Sequence, residues 1–196
     1  MSALVERLRR LHTAGHSIEL PDLRDDSMFA LGETRDAAVL AAITDRERPG
    51  FLLIHRPSNM RAHPGQVAFP GGKIDPGEDA VEAALREANE ELGIHAGDVA
   101  VIGPSDIYRT GTGYAVTPVL AVVPPDLPLQ PNPTEVAAWF EVPVDFVFDA
   151  TNHVQQSVHW QGRERRYIEI LWQDHRIWGV TAAIIANLSR RIAWHD

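Results

Sequence analysis

The chain has 196 residues, with 18 Lys and Arg against 27 Asp and Glu and a formal net charge of −9. That length fits one domain of ordinary size, and the acidic balance argues against a broad nucleic-acid surface, which needs clustered cations to neutralise phosphates. With no cysteine, disulfides, thiolate metal sites and cysteine nucleophiles are excluded together, and no apolar run reaches the ~18 residues of a membrane-spanning helix.

The first element is a helix over Leu4 to Leu11, read as core packing, from which Arg7, Arg9 and Arg10 could reach a ligand or partner. The first twenty residues lack the continuous apolar core of a secretory signal, so a cytoplasmic location is expected. Residues 1–34 read as a helix and lead-in belonging to the same domain as 35–196. Alternation and β-branched content predict strands near 36–44, 50–56, 66–69, 98–108, 115–123, 135–141, 153–161 and 165–172. Five prolines between 124 and 133 mark an irregular connection. A last helix near 178–192 carries Val180, Ile184, Ile185, Leu188 and Ile192 on one side, a core-facing stripe. Strands interleaved with long helices predict an α/β/α sandwich with a mixed sheet. The five tryptophans, with Tyr108 and Tyr114, are expected mostly to pack.

The charge is concentrated in residues 72–94, where seven acids stand against Lys73 and Arg86. Val81, Leu85, Ala88 and Leu92 make a helical stripe there, with Pro76-Gly77 before it and Gly93 after it as start and stop signals. At ~100° per residue, Glu87, Glu90 and Glu91 share one arc beside that stripe. Like charges so spaced cost roughly 0.2–0.5 kcal/mol per pair. A solvated acidic face is the plain reading of such a helix. Oxygen ligands held on a rigid helix also suit Mg²⁺ or Mn²⁺, which take carboxylates, water and phosphates together.

Gly72, Glu78 and the run Arg86-Glu87-Ala88-Asn89-Glu90-Glu91-Leu92-Gly93-Ile94 resemble the complete Nudix box, Gly-x5-Glu-x7-Arg-Glu-U-x-Glu-Glu-x-Gly-U, where U is bulky and apolar. Only Ala88 is smaller than usual at its position. The resemblance implies the Nudix α/β/α fold and hydrolysis of a nucleoside diphosphate linked to a further moiety. It implies that Glu87, Glu90 and Glu91 hold the metal, directly or through water. It also implies that Arg86 pairs with Glu78, and that Gly72 and Gly93 supply backbone freedom at the two ends. A general base is needed; Glu87 is one candidate and Glu135, outside the box, is the other, with a plain surface role for Glu135 as the alternative.

Upstream, residues 52–72 place Arg56 and Arg61 five apart, followed by His63 and Gly65. By composition this is a basic loop beside an acidic helix, suited to an anion arriving with its metal, since a guanidinium fork matches phosphate. Leu52, Leu53, Arg56, Arg61, Gly65, Phe69, Pro70, Gly71 and Gly72 are also similar in register to the signature of the coenzyme A pyrophosphatases, a Nudix subfamily. Ile54 and Pro57 depart from it, where Thr and Ser or Ala are usual. That resemblance implies cleavage of CoA or acyl-CoA to 3′,5′-ADP and 4′-phosphopantetheine or its acyl form. Arg56, Arg61 and His63 would meet the phosphates beside the Gly71-Gly72 backbone. The small-molecule substrate is the one partner expected, with no nucleic acid and no membrane; a homodimer through the termini is left open. The alternatives are a Nudix hydrolase for another nucleoside diphosphate derivative such as ADP-ribose, and a catalytically silent Nudix-fold ligand sensor.

Overall fold

The computed structural model describes residues 2–30, 32–58, 65–160 and 162–194. Its central strand is β1 (Arg35–Thr44), whose run of small and branched apolar residues is buried on both faces. β1 pairs in parallel with β7 (Tyr114–Val123) and antiparallel with β2 (Gly50–His55) and β4 (Gly71–Lys73). β3 (Val67–Ala68) and β8 (Ala138–Pro143) flank β2, while β5 (Ala100–Pro104) and β6 (Tyr108–Arg109) border β7. The result is a mixed sheet of eight strands.

Side chains alternate across this sheet and divide the core into two layers. Ala38, Leu40, Ala42, Leu52, Ile54, Val119 and Ala121 pack against α2 (Ala80–Leu92) on one face. Ala37, Ala41, Ile43, Phe51, Leu53 and Leu120 pack on the other against α1 (Ala3–His16), α3 (Val144–Phe148) and α4 (Val180–Ile192). The architecture is therefore the α/β/α sandwich with a mixed sheet. α2 meets the sheet through Ala83, Ala84 and Ala88, all fully buried. Alanine against alanine lets the helix lie close to β1, which holds the neighbouring acids near the strand ends. The smaller residue at Ala88 is thus a packing choice.

Arg191 of α4 ties the other layer together. It donates to both Asp106 oxygens at 2.7 and 2.8 Å and to the carbonyls of Gly15 and Ile18 at 2.7 and 2.8 Å. Among the basic residues of α1, Arg7 is turned inward onto Trp194, bonding its carbonyl and lying over its ring.

Several boundaries differ from the sequence expectation. The strand expected at 66–69 ends at Ala68, and after the Phe69-Pro70 corner a further short strand, β4, crosses to β1. The stretch 98–108 breaks into β5 and β6, with Gly103 at a register shift against β7. Strands β9 (Val154–Trp160) and β10 (Arg163–Trp172) join β11 (His175–Trp178) in a separate antiparallel sheet, so the last helix begins at Val180. Tyr108 packs, with its hydroxyl donating to Asp26 at 2.7 Å. Among the described residues, no helix is long and apolar enough to cross a membrane.

Candidate active site

α2 is held at both ends by its own residues. The Asp79 side chain accepts from the Val81 and Glu82 amides at 2.8 and 2.9 Å, and Glu82 accepts the Asp79 amide at 2.9 Å, a reciprocal cap. Gly93 closes the helix at φ 70°, the left-handed region that glycine enters at little cost. The helix therefore presents its acids along a fixed line.

Arg86 organises the outer part of that line. Its Nε and Nη2 donate to the two Glu78 oxygens at 2.7 and 3.0 Å, and Nη2 also reaches the Lys73 carbonyl at 3.0 Å. Its Nη1 donates to Glu87 at 2.9 Å and faces Glu90 at 3.4–3.5 Å. The guanidinium fork holds the Glu78 carboxyl below its usual range.

Three carboxylates converge at the inner end. One oxygen from each of Glu87, Glu91 and Glu135 lies within 4.8 Å of the others. Glu91 is 2% exposed and accepts the Gly71 amide at 2.9 Å. Burial pushes its carboxyl up to about 8 against the pull of that amide, with Glu87 and Glu135 adding to the rise and Arg56 opposing it. Burial also raises Glu87, against the pull of Arg86. A crowded, oxygen-only donor set fits a hard divalent cation such as Mg²⁺ or Mn²⁺.

The expected metal set and this cluster differ by one residue. Glu90, whose side chain is 51% exposed, turns toward Arg86 and lies outside the trio, while Glu135 is brought in. Glu135 arrives through Asn132, which the sequence reading did not single out. The Asn132 amide donates to the Glu91 carbonyl at 2.9 Å, and its side-chain amide faces Glu135 at 3.4 Å. The Asn-Pro-Thr-Glu turn was the signal available for it, since Asn132 Oδ1 also accepts the Thr134 amide at 3.1 Å.

The two glycines before the helix serve close approach. A Cβ at Gly72 would stand 2.3 Å from Glu87 Oε1, and one at Gly71 would stand 2.4 Å from the Ala38 carbonyl oxygen. Gly72 is not in the left-handed region, which corrects the expectation of backbone freedom there: the residue leaves room for the Glu87 carboxylate. Arg56 follows β2 beside this cluster, with its Nε buried and without a hydrogen-bond partner among the described residues. Arg61 and His63 lie outside the described residues. Beneath Arg56, the His55 Nε2 lies 2.8 Å from His175 Nδ1, and burial holds the His55 imidazole low, with His175 adding. A cavity of about 490 Å³ on the α4 side, lined by Arg24, His153, Gln155 and Asn187 among others, contains none of the carboxylates.

The NUDIX domain family matches residues 34–161. The chain is 42% identical over 159 residues to the uncharacterized Nudix hydrolase NudL of Enterobacter sp. (strain 638), covering 81% of this chain and 83% of that protein. It is 41% identical over 159 residues to the protein of the same description from Photorhabdus laumondii subsp. laumondii, covering 81% and 85%. Among solved structures it is similar to RenU, a Nudix hydrolase from M. smegmatis, with a TM-score of 0.52, 28% identity and coverage of 61% of this chain and 76% of that one.

Proposed function

The chain belongs to the Nudix family, and on that premise we propose that it is a divalent-metal-dependent pyrophosphatase cleaving coenzyme A or acyl-CoA. The observation that carries this reading is the convergence of Glu87, Glu91 and Glu135 beside Arg56, the first arginine of the pattern in residues 52–72. Of the two departures from that pattern, Ile54 is fully buried in the α2-side core. It packs there, away from solvent.

Glu87 and Glu91 would hold Mg²⁺ or Mn²⁺, with Glu90 as a further candidate ligand and Glu135 beside them. When bound, such an ion neutralises pyrophosphate oxygens and lowers the pKa of a bound water. The chain's own residues do the rest. Arg86 holds Glu87 in place, the Gly71 amide holds Glu91, and Gly72 gives the Glu87 carboxylate its room. Arg56, whose buried Nε has no hydrogen-bond partner among the described residues, would meet the phosphates, as would Arg61 and His63, which lie outside the described residues. Glu135 is the base: its hydrogen bond from the Asn132 amide is long, at 3.4 Å, whereas Glu87 is committed to Arg86 at 2.9 Å. Glu135 takes a proton from the attacking water, whose oxygen bonds to phosphorus as the bridging P–O bond breaks. The products are 3′,5′-ADP and 4′-phosphopantetheine or its acyl form.

The test is kcat/KM with Mg²⁺ and with Mn²⁺ for CoA, dephospho-CoA, ADP-ribose, a dinucleoside polyphosphate and dGTP. CoA should lead by at least about 10-fold, the worth of one good phosphate contact. Preference for ADP-ribose with CoA uncut would move the assignment to that substrate.

A further inference from the structure

Trp139 is 41% exposed, whereas the ring of Trp172 lies on Phe146, Trp178 is held between Tyr167 and Arg176, and Trp194 is covered by Arg7. No aromatic or cationic neighbour covers the Trp139 ring among the described residues. Its strand does not need it for the core: Phe140 and Val142 of β8 supply the buried face on the α4 side. In the antiparallel register Trp139 stands opposite Ile54. Directly opposed residues share a face, and Ile54 belongs to the α2-side core. The indole is therefore on the side of the sheet that carries the carboxylate trio.

It also stands at the matching end of that face. His55 pairs with Ala138, and the Ala137 amide donates to the His55 carbonyl at 2.8 Å. Arg56 is thus one strand across from Trp139 and two residues along, about 8 Å between backbones by ordinary sheet spacing. Glu135 lies four residues before Trp139 on the same chain segment. Trp139, Arg56 and the carboxylate trio thus lie on one face of the sheet and toward one end of it.

We propose that Trp139 is the platform on which the substrate's adenine stacks, so that it fixes the nucleoside end of the substrate while Arg56 and the carboxylate trio hold the pyrophosphate. This rests on the reading of the site as a nucleoside diphosphate hydrolase and deepens it. The ring sets preference for a planar base and leaves the rest of the substrate to other contacts. A π-face accepts any base, so preference for adenine over other purines is not its task.

The test uses the full chain with Mg²⁺ and two non-hydrolysable probes, α,β-methylene-ADP and methylenediphosphonate, whose dissociation constants are measured by calorimetry. Trp139→Ala should weaken the nucleotide by about 10- to 100-fold, the usual worth of a base on an aromatic ring. The same variant should bind methylenediphosphonate as the unmodified protein does, and Trp139→Phe should keep most of the nucleotide affinity. Equal nucleotide affinity in Trp139→Ala and the unmodified chain would overturn the proposal. So would equal weakening of both probes, or a change confined to self-association. Neither probe carries pantetheine or a 3′-phosphate. A protein that leaves CoA uncut but shows the contrast therefore keeps the stacking subsite and loses only the CoA assignment.

Discussion

Replacing Glu91 by Gln tests the electrostatics of the cluster without relying on turnover. The Glu91 carboxyl is pushed up from about 4.5 to about 8, so the folded state binds the extra proton throughout that interval. Stability from this group is therefore greatest below about pH 4.5 and falls as pH rises toward 8. At ~1.4 kcal/mol per pH unit the full interval corresponds to ~5 kcal/mol, an upper bound reached at pH 8 and above. Glutamine has no charge to bury and can still accept the Gly71 amide. In EDTA at pH 8, Glu91→Gln should therefore melt above the unmodified protein. Recovery of even ~2 kcal/mol would raise Tm by about 4–8 °C for a chain of this size. Added Mg²⁺ should then stabilise the unmodified protein and leave the variant where it was. Thermal unfolding followed by circular dichroism at pH 5.5 and 8, with and without Mg²⁺, reads all four states. A variant that melts lower in EDTA at pH 8, or that gains as much from Mg²⁺, would refute the reasoning.

Arg86→Lys keeps the charge and loses the fork that spans both Glu78 oxygens, so kcat should fall by about 10- to 100-fold and added salt should not restore it. For Gly72→Ala, the new methyl would displace the Glu87 carboxylate. Mg²⁺ affinity should drop by about 10- to 100-fold while far-UV circular dichroism stays the same. Asp106 is held below its ordinary value chiefly by the Arg191 hydrogen bonds, and burial opposes them. Its contribution is present above about pH 4 and is lost as pH falls through the lowered value. Urea unfolding at pH 7 should find Asp106→Asn less stable by about 1.5–3 kcal/mol, and the gap should close in strong acid.

The parts of the site legible in sequence are those whose geometry is local. Helical spacing alone puts Glu87, Glu90 and Glu91 on one arc, and the start and stop signals Pro76-Gly77 and Gly93 lie within the same short segment. Which acids meet is a different matter, because it depends on long-range folding. Glu135 joins the cluster only after the proline-rich connection folds back, with the Gln130 and Asn132 amides bonding the Leu92 and Glu91 carbonyls at 2.8 and 2.9 Å. Glu90 lies outside it, with its half-exposed side chain turned toward Arg86. The same distinction holds for the fold. β1, β7 and α2 have long, regular patterns and were readable. By contrast, α3 spans five residues, too few to show a helical period. β11 follows a tight turn with Gln173 at φ 49°, and nothing in its four residues separates it from the helix that follows.

The most direct test of the central claim is the mass of the products formed from CoA in Mg²⁺, with Glu91→Gln run in parallel to exclude a contaminating hydrolase. The unmodified protein should give equal amounts of 3′,5′-ADP and 4′-phosphopantetheine, and the variant neither. Intact CoA, cleavage at any bond other than the pyrophosphate, or full activity in Glu91→Gln would contradict the claim.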